Sequence, residues 1–485
     1  MPGSATDAVR PFSPYTPVRA ILRKPVPVLA PDADVRSALE YLDRNAVDSL
    51  AVVDPKSGAP LGILTLRDVV HRIALNGGDL DQPVATVMTG GVVTLPAEAT
   101  VHQASVLMIR RNLRHLVLIE GDGRYAGILA QADLYARPSA RSGELVAAIA
   151  AAGCVSSLAA VAAEVRAFSA QLLAEGLAAD ALCQQISALN DLIGLQAIDL
   201  VAERHELPYV PWCWLVFGSE GRLEQTLATD QDNGLVFAAD SKEEADALRK
   251  VFLPFARDVN DALDACGFPL CKGSIMAGNP ELCLSLAEWK EKFYQWLHVA
   301  EPQAVLNATI FFDLRPLFGD EHLAAELQSW LLARTPDCHA FLRAMAEGAL
   351  NWQSPLGWLN GFRYDDNKDF PHTIDLKLHG VRPFVDGARI WSLAKGVAAT
   401  NTGERLRTVG PLLHQRPEET AAFLGALDQV QRMRFANQLR ADSHAGANRV
   451  DPDRLNELDR QILKEAFRQV KRLQQQLEIE FLRTA

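Results

Sequence analysis

No C-x-x-C pair occurs in this chain, although it has seven cysteines, at 154, 183, 213, 266, 271, 283 and 338. The usual zinc-ribbon and dithiol spacings are therefore excluded, and an odd, scattered set makes a poor disulfide framework, so a reducing cytoplasm is the expected setting. A basic excess is also missing: 48 Lys and Arg stand against 60 Asp and Glu, for a net charge of −12. Gripping a phosphate backbone requires a basic face, so nucleic acid is not an expected partner. The opening MPGSATDAVRPFSPYTPV lacks the apolar core of a signal peptide and carries prolines instead, so residues 1–17 are expected to form a disordered lead. Long hydrophobic runs are scarce too. Leu145 to Ala163 is uncharged, but it is mostly alanine and is interrupted by Gly153, Ser156 and Ser157, so a buried helix is expected there and no membrane span. What is present is globular: 48% hydrophobic and 22% charged over 485 residues, too many for one core and enough for several.

The N-terminal part repeats itself. DSLAVVDPKSGAPLGILTLRDVV (48–70) aligns with LRHLVLIEGDGRYAGILAQADLY (113–135), with Gly62 matching Gly127 and Asp68 matching Asp133. Each copy reads strand, turn, strand, helix, and each follows an amphipathic helical stretch, DADVRSALEYLDRN or EATVHQASVLMIRRN. Two such units in tandem, over about 18–140, resemble a pair of cystathionine-β-synthase-type (CBS) domains, of α+β fold. The resemblance implies clefts that hold an adenine nucleotide. It also implies a turn, G-h-x-[ST]-x-x-D, that places a hydroxyl and a carboxylate by the ribose. Gly62, Thr65 and Asp68 keep that turn in the first copy; the second has Gly127 and Asp133 but Ala130 where the hydroxyl belongs. Arg110, Arg111, Arg114 and His115 could meet phosphates or form plain solvated surface. A ligand-free interaction module is the other reading of the pair.

Apolar residues at three- and four-residue spacing predict helices over 141–207, read as a linker, which ELPYVP ends. WCWLVF (212–217) then reads as a strand covered on both faces, and it runs into Gly218-Ser219. LEQTL is expected to be a short helix whose N-terminal N–H groups suit phosphate oxygens. Asp230 and Asp232 follow at the head of a second strand, DNGLVFAA, where i and i+2 side chains share a face. Two converging carboxylates repel each other, a cost that a divalent cation removes, and magnesium prefers a few carboxylates plus phosphate oxygens. An EF-hand is excluded because Gly234 and Leu235 stand at the wrong loop positions, and a KH-type clamp because Glu220 and Glu224 would repel RNA.

The Gly-Ser turn followed by D-x-D on a strand resembles the nucleotidyltransferase superfamily that includes DNA polymerase β. Its pattern calls for a third carboxylate, for which Asp313 in NATIFFDLRPLFGD (307–320), read as a strand, is the candidate. The wording GSEGRLEQTLATDQDNGLVF, CKGSIMAGNPELCLSL and FFDLRPLFGD is similar to the DUF294 family, related to the PII-protein uridylyltransferases. The resemblance implies an α/β multidomain chain: CBS pair (18–140), helical linker (141–207), polymerase β-like α/β domain (208–325) and C-terminal helical domain (326–485). It implies nucleotidyl transfer from a nucleoside triphosphate to a hydroxyl on a PII-like protein or a small molecule. Asp230, Asp232 and Asp313 would hold magnesium or manganese, Gly218 and Ser219 would hold the phosphates, and Arg222 and Arg315 would be phosphate partners. Asp313 would also help deprotonate the acceptor. A non-catalytic nucleotide sensor is the alternative. Lys272, Ser274 and Asn279 lie in a Gly-rich loop that could face the base or sugar or be a simple connector, Asp375 and Lys377 read as a structural ion pair or as groups that reach the active site, and the tail from Asp451 reads as a packing helix able to dimerise.

Overall fold

The structure is a computed structural model that describes residues 17–22, 28–45, 47–74, 79–111, 113–130, 140–174, 179–227, 229–299, 302–357, 361–440 and 446–483. Apart from Pro17, the expected lead lies outside the described residues, as does Asp133. Two compact units divide the chain, Met1–Glu144 and Leu145–Ala485.

In the first unit the repeat becomes two similar sheets. Strands β1 (Val28–Leu29), β2 (Ser49–Val53), β3 (Pro60–Thr65) and β4 (Thr89–Gly90) form one, in that order; β5 (Thr94–Pro96), β6 (His115–Ile119) and β7 (Tyr125–Ala130) form the other. In both copies the short first strand is parallel to the second, and the hairpin that follows slips register near its turn, at Val52/Val53 and at Leu118/Ile119. One apolar cluster spans the copies, joining Ala51, Val53 and Ile63 to Val117 and Ile128. The expected helices Val35–Asn45 and Val101–Arg110 are present.

In the second unit a four-stranded sheet runs in the order β10 (Cys283–Ser285), β9 (Asn233–Phe237), β8 (Trp212–Val216), β11 (Arg315–Gly319). β8 is antiparallel to both neighbours, and β10 is parallel to β9. Cys213, Trp214, Leu215 and Val216 are all buried, as an unbroken apolar strand requires. The uncharged 145–163 run is split between helices Ala140–Ala151 and Val155–Ala174, and no helix among the described residues is long and apolar enough to cross a membrane.

Three expectations need correction. The segment read as a linker is packed into this unit: Asp191 of the Ala179–Ala202 helix pairs with Arg315 at 2.8 Å, and Asn190 bonds Gln225 at 3.2 Å. Its apolar stripe needs a partner surface, and the sheet supplies one. NATIFF is not a strand but the end of the Pro302–Phe311 helix, so Asp313 stands in the turn before β11. A short apolar run has no periodicity to separate a buried helix from a strand, and here packing decided. LEQTL forms no helix either. The one helical turn is Gly218–Gly221 itself, after which Leu223 adopts φ 55°, a left-handed conformation held by its fully packed side chain.

No break in the core separates sheet from C-terminal helices, since one cluster runs from Cys213 and Phe217 through Trp391 and Phe423 to Leu477. The tail helix Glu457–Phe481 buries Leu463, Ala466, Phe467, Val470, Leu473 and Leu477 in it.

Candidate active site

The strand pair β8–β9 brings the Gly-Ser turn onto the aspartates. Phe217 N donates to Asp232 O at 2.8 Å, which places the residue after β8 against the one before β9. Gly218 then turns with φ 56°, and a Cβ built there would stand 3.0 Å from Asp232 Oδ2, so glycine serves both the conformation and the close approach. The turn closes through Gly221 N to Phe217 O and Arg222 N to Gly218 O, so the N–H groups of Ser219 and Glu220 precede its first backbone bonds.

The alternation read from D-Q-D-N is realised. Gln231 and Asn233 point inward and are fully bonded: Gln231 Nε2 donates to Asn260 O and Phe268 O, and Asn233 Oδ1 accepts from Ala277 N and Asn260 Nδ2. Asp230 and Asp232 therefore point the other way, into a cavity of about 280 Å³ that they share with Ser219, Arg222, Lys377 and Arg434. Among the described residues neither aspartate makes an ion pair. Burial first, and the charge of Asp230 second, push the Asp232 carboxyl up to about 7, against a hydrogen bond from the Cys271 thiol and the field of Lys377. Glu220 is pushed up to about 8 by burial, with Asp191 adding to it. An exposed and a half-buried carboxylate side by side, with no cation in contact among the described residues and a turn of N–H groups beside them, fit a divalent cation carried in with phosphate oxygens.

Asp313 does not join them. Its carboxylate is fully buried and accepts from three guanidiniums: Arg389 Nε and Nη2 at 3.0 and 2.6 Å, Arg405 Nη1 at 2.6 Å and Arg222 Nη1 at 2.7 Å. These bonds, outweighing desolvation, hold its pKa far below the usual carboxylate range. Asp313 is not among the residues that line the cavity of Asp230 and Asp232, and its bonds to three arginines do not fit a third metal ligand or a base for the acceptor. It is an internal anchor for helices Arg382–Ala394 and Thr402–Leu412, which carry Arg389 and Arg405. The two arginines proposed for phosphate are likewise engaged. Arg222 also pairs with Glu224 at 2.8 Å, and Arg315 with Asp191.

Of the two readings of Asp375 and Lys377, an ion pair or a reach into the site, Lys377 takes the second: Asp375 accepts the backbone N–H groups of Lys377 and Leu378, and Lys377 lines the cavity. Arg434, on the Pro417–Arg440 helix, had no local signal at all. Asn279 is a connector, as expected: it bonds Ser274 O and caps the turn at Pro280–Leu282. A second cavity, of about 510 Å³, adjoins the first through Leu306, Thr309, Arg382 and Asp386 and is walled by Met345, Trp352 and Ile390. Arg382 lies 4.8 Å over the Trp352 ring.

In the first unit the structure gathers Thr65 and Asp68: Thr65 Oγ1 donates to Asp68 Oδ2 at 2.6 Å, and Thr89 Oγ1 to Asp68 Oδ1 at 3.0 Å. His115 lies 3.2 Å from Asp48.

Comparison with known proteins covers both units. Residues 163–303 match the family model "Putative nucleotidyltransferase DUF294", residues 339–481 match "Putative nucleotidyltransferase substrate binding domain", and residues 18–75 and 84–139 match the CBS domain. The first match begins inside the segment expected to be a linker, in agreement with its packing. An uncharacterized 17.7 kDa protein of Acidianus ambivalens is 31% identical over 119 residues, 24% of this chain and 71% of that protein. The CBS domain-containing protein YhcV of Bacillus subtilis is 27% identical over 117 residues, 24% of this chain and 81% of that protein. Among solved structures, a CBS domain protein from Pyrobaculum aerophilum complexed with AMP is similar at 26% identity and a TM-score of 0.24, covering 27% of this chain and 98% of that one.

Proposed function

Since the chain belongs to the DUF294 nucleotidyltransferase family, with its substrate-binding domain and a CBS pair, we propose that it moves a nucleoside monophosphate from a nucleoside triphosphate to an acceptor hydroxyl. The observation that carries this reading is the Asp230–Asp232 pair, in no ion pair among the described residues, pressed against the Gly218–Ser219 turn in one cavity. Asp230 and Asp232 would hold magnesium or manganese, which when bound supplies charge neutralisation at the α-phosphate and at the departing pyrophosphate. Ser219 and the opening N–H groups of its turn orient the phosphates. Arg222, fixed between Glu224 and Asp313, keeps that turn in place. The adjoining 510 Å³ cavity gives a small-molecule acceptor room beside the aspartates; a PII-like protein would instead present its hydroxyl at the opening. An adenine nucleotide at Thr65 and Asp68 would regulate transfer if it binds two states of the protein unequally.

A second reading has its own support. Of the four carboxylates that line the cavity, Glu224 and Asp386 are paired with arginines, which leaves Asp230 and Asp232, enough to hold a metal-bound nucleotide without turning it over. Incubation of the full chain with each α-labelled triphosphate, Mg²⁺ or Mn²⁺ and lysate of its own cells separates the two. Label on a discrete acceptor, reduced at least about a hundredfold (~2.7 kcal/mol) in Asp230→Asn and Asp232→Asn, establishes the transferase. Nucleotide binding with no labelled acceptor establishes the sensor.

A further inference from the structure

Five cationic side chains line the cavity that holds Asp230 and Asp232: Arg222, Lys377, Arg382, Arg389 and Arg434. Three of them are spent on carboxylates. Arg222 bonds Glu224 and Asp313, Arg382 bonds Asp386 at 3.2 Å, and Arg389 bonds Asp313 and Asp386. The other two form no ion pair among the described residues. Arg434 is 6% exposed and, among the described residues, donates to neutral amide oxygens, Asn448 Oδ1 at 2.6 Å and Gln431 Oε1 at 3.4 Å, with the charge of Asp375 acting on it from beyond contact. Lys377 makes no side-chain hydrogen bond or ion pair among the described residues. Its ammonium is pushed below the ordinary lysine value by burial and by Arg434, against the charges of Asp230, Asp232 and Asp375.

Leaving a buried guanidinium with no carboxylate in contact is costly, and an anion that arrives beside it offsets that cost. Both groups are also held in place beforehand. Lys377 follows β12 (Ile374–Asp375), which pairs with β13 (Arg449–Val450), and Asp375 fixes the turn; Asn448, just before β13, fixes Arg434. Across the same cavity stand the two aspartates, which would repel a bare anion. An anion that brings a divalent cation at one end and free phosphate oxygens at the other satisfies both walls. A flexible acidic peptide would not enter a space of about 280 Å³ as readily as a phosphate chain.

We infer that Lys377 and Arg434 form a polyphosphate subsite on the C-terminal helical part, which takes the β- and γ-phosphates of the nucleotide opposite Asp230 and Asp232. This rests on the nucleotidyltransferase reading of the cavity for its choice of ligand. The separation of charge also orients the nucleotide: the cationic wall draws the outer phosphates away from the Ser219 turn, leaving the α-phosphate by the aspartates. Arg222 and Arg315 then act as struts of the fold and not as phosphate ligands.

Titration calorimetry of the full chain with inorganic tripolyphosphate and Mg²⁺ tests the subsite without any transfer step. Lys377→Gln, on an open side chain, should weaken binding at least about tenfold, and Lys377→Arg should restore most of it. Arg434→Gln should weaken it by a similar factor, with circular dichroism confirming its fold; if that variant misfolds, the lysine pair alone decides. Wild-type affinity in Lys377→Gln overturns the inference, and so does a wild-type protein that ignores tripolyphosphate. A wild type that binds tripolyphosphate through Lys377 but labels no acceptor refutes the transferase reading and leaves the subsite standing.

Discussion

Asp232 and Asp313 are the same side chain in the same packed unit, and their surroundings could hardly differ more. Around Asp232 burial, with the charge of Asp230 added, raises the pKa to about 7 against the weaker fields of Lys377 and Arg222. Around Asp313 three guanidiniums converge, and its pKa is driven down although it is the more deeply buried of the two. Burial alone therefore does not set the protonation state; the sign of the neighbours does. One site is left in electrostatic debt that a cation can discharge, whereas the other is complete and has nothing to offer a ligand. Asp68, in the first unit, has a mixed environment of its own: two hydroxyls donate to it and Arg72 stands at 3.4 Å.

The contrast can be broken most directly at Asp313. Asp313→Asn leaves three buried guanidiniums without their shared carboxylate, and removing one partner of such a buried set costs roughly 3–5 kcal/mol. Urea denaturation should show a loss of that order; a loss below about 1 kcal/mol would mean that the anchor is not load-sharing and that Asp313 is free for other work. Asp230→Asn and Asp232→Asn should leave stability in metal-free buffer unchanged or raised.

A smaller effect, of opposite sign, distinguishes the two aspartates by pH. With its folded pKa raised above the unfolded value of about 4, Asp232 keeps a proton that the unfolded chain has released, so its stabilising contribution is complete below about pH 4 and is lost as pH rises through about 7. Glu220 acts in the same direction up to about 8. Metal-free protein should lose up to about 1.4 kcal/mol per pH unit for each such group between about pH 5 and 7, and Asp232→Asn should remove its share of that slope. Asp313, with a depressed pKa, contributes fully above about pH 4 and weakens only on acidification below it. A wild-type midpoint that is flat between pH 5 and 7 would contradict the environment described for Asp232. Least of all, Thr65→Val should cost about 1 kcal/mol through the lost donor to Asp68, visible as a small drop in the melting temperature and as weaker adenine-nucleotide binding.

Much of the site was legible in the chain because it is local. Gly218, Ser219, Asp230 and Asp232 lie within fifteen residues, strand periodicity puts the two aspartates on one face, and the apolar 212–217 run names the strand that delivers the turn. The repeat with Gly62, Thr65 and Asp68 was legible for the same reason. Asp313 was misplaced because NATIFF is equally good as a helix end and a strand, and because its three partners lie 91, 76 and 92 residues away. Lys377 was seen beside Asp375 in sequence, as its ion-pair partner or as a reach into the site, and the backbone had already claimed that carboxylate.

Sequence by itself determined the order of the units, the repeat and the strand–turn–strand that carries the aspartates, since each depends on residue type at short spacing. Tertiary structure alone decided which charges find an ion-pair partner. Charge compensation is a sum over neighbours from helices and strands far apart in the chain, so it exists only once the core has brought Arg222, Arg389 and Arg405 around Asp313 and left Lys377 and Arg434 facing Asp230 and Asp232.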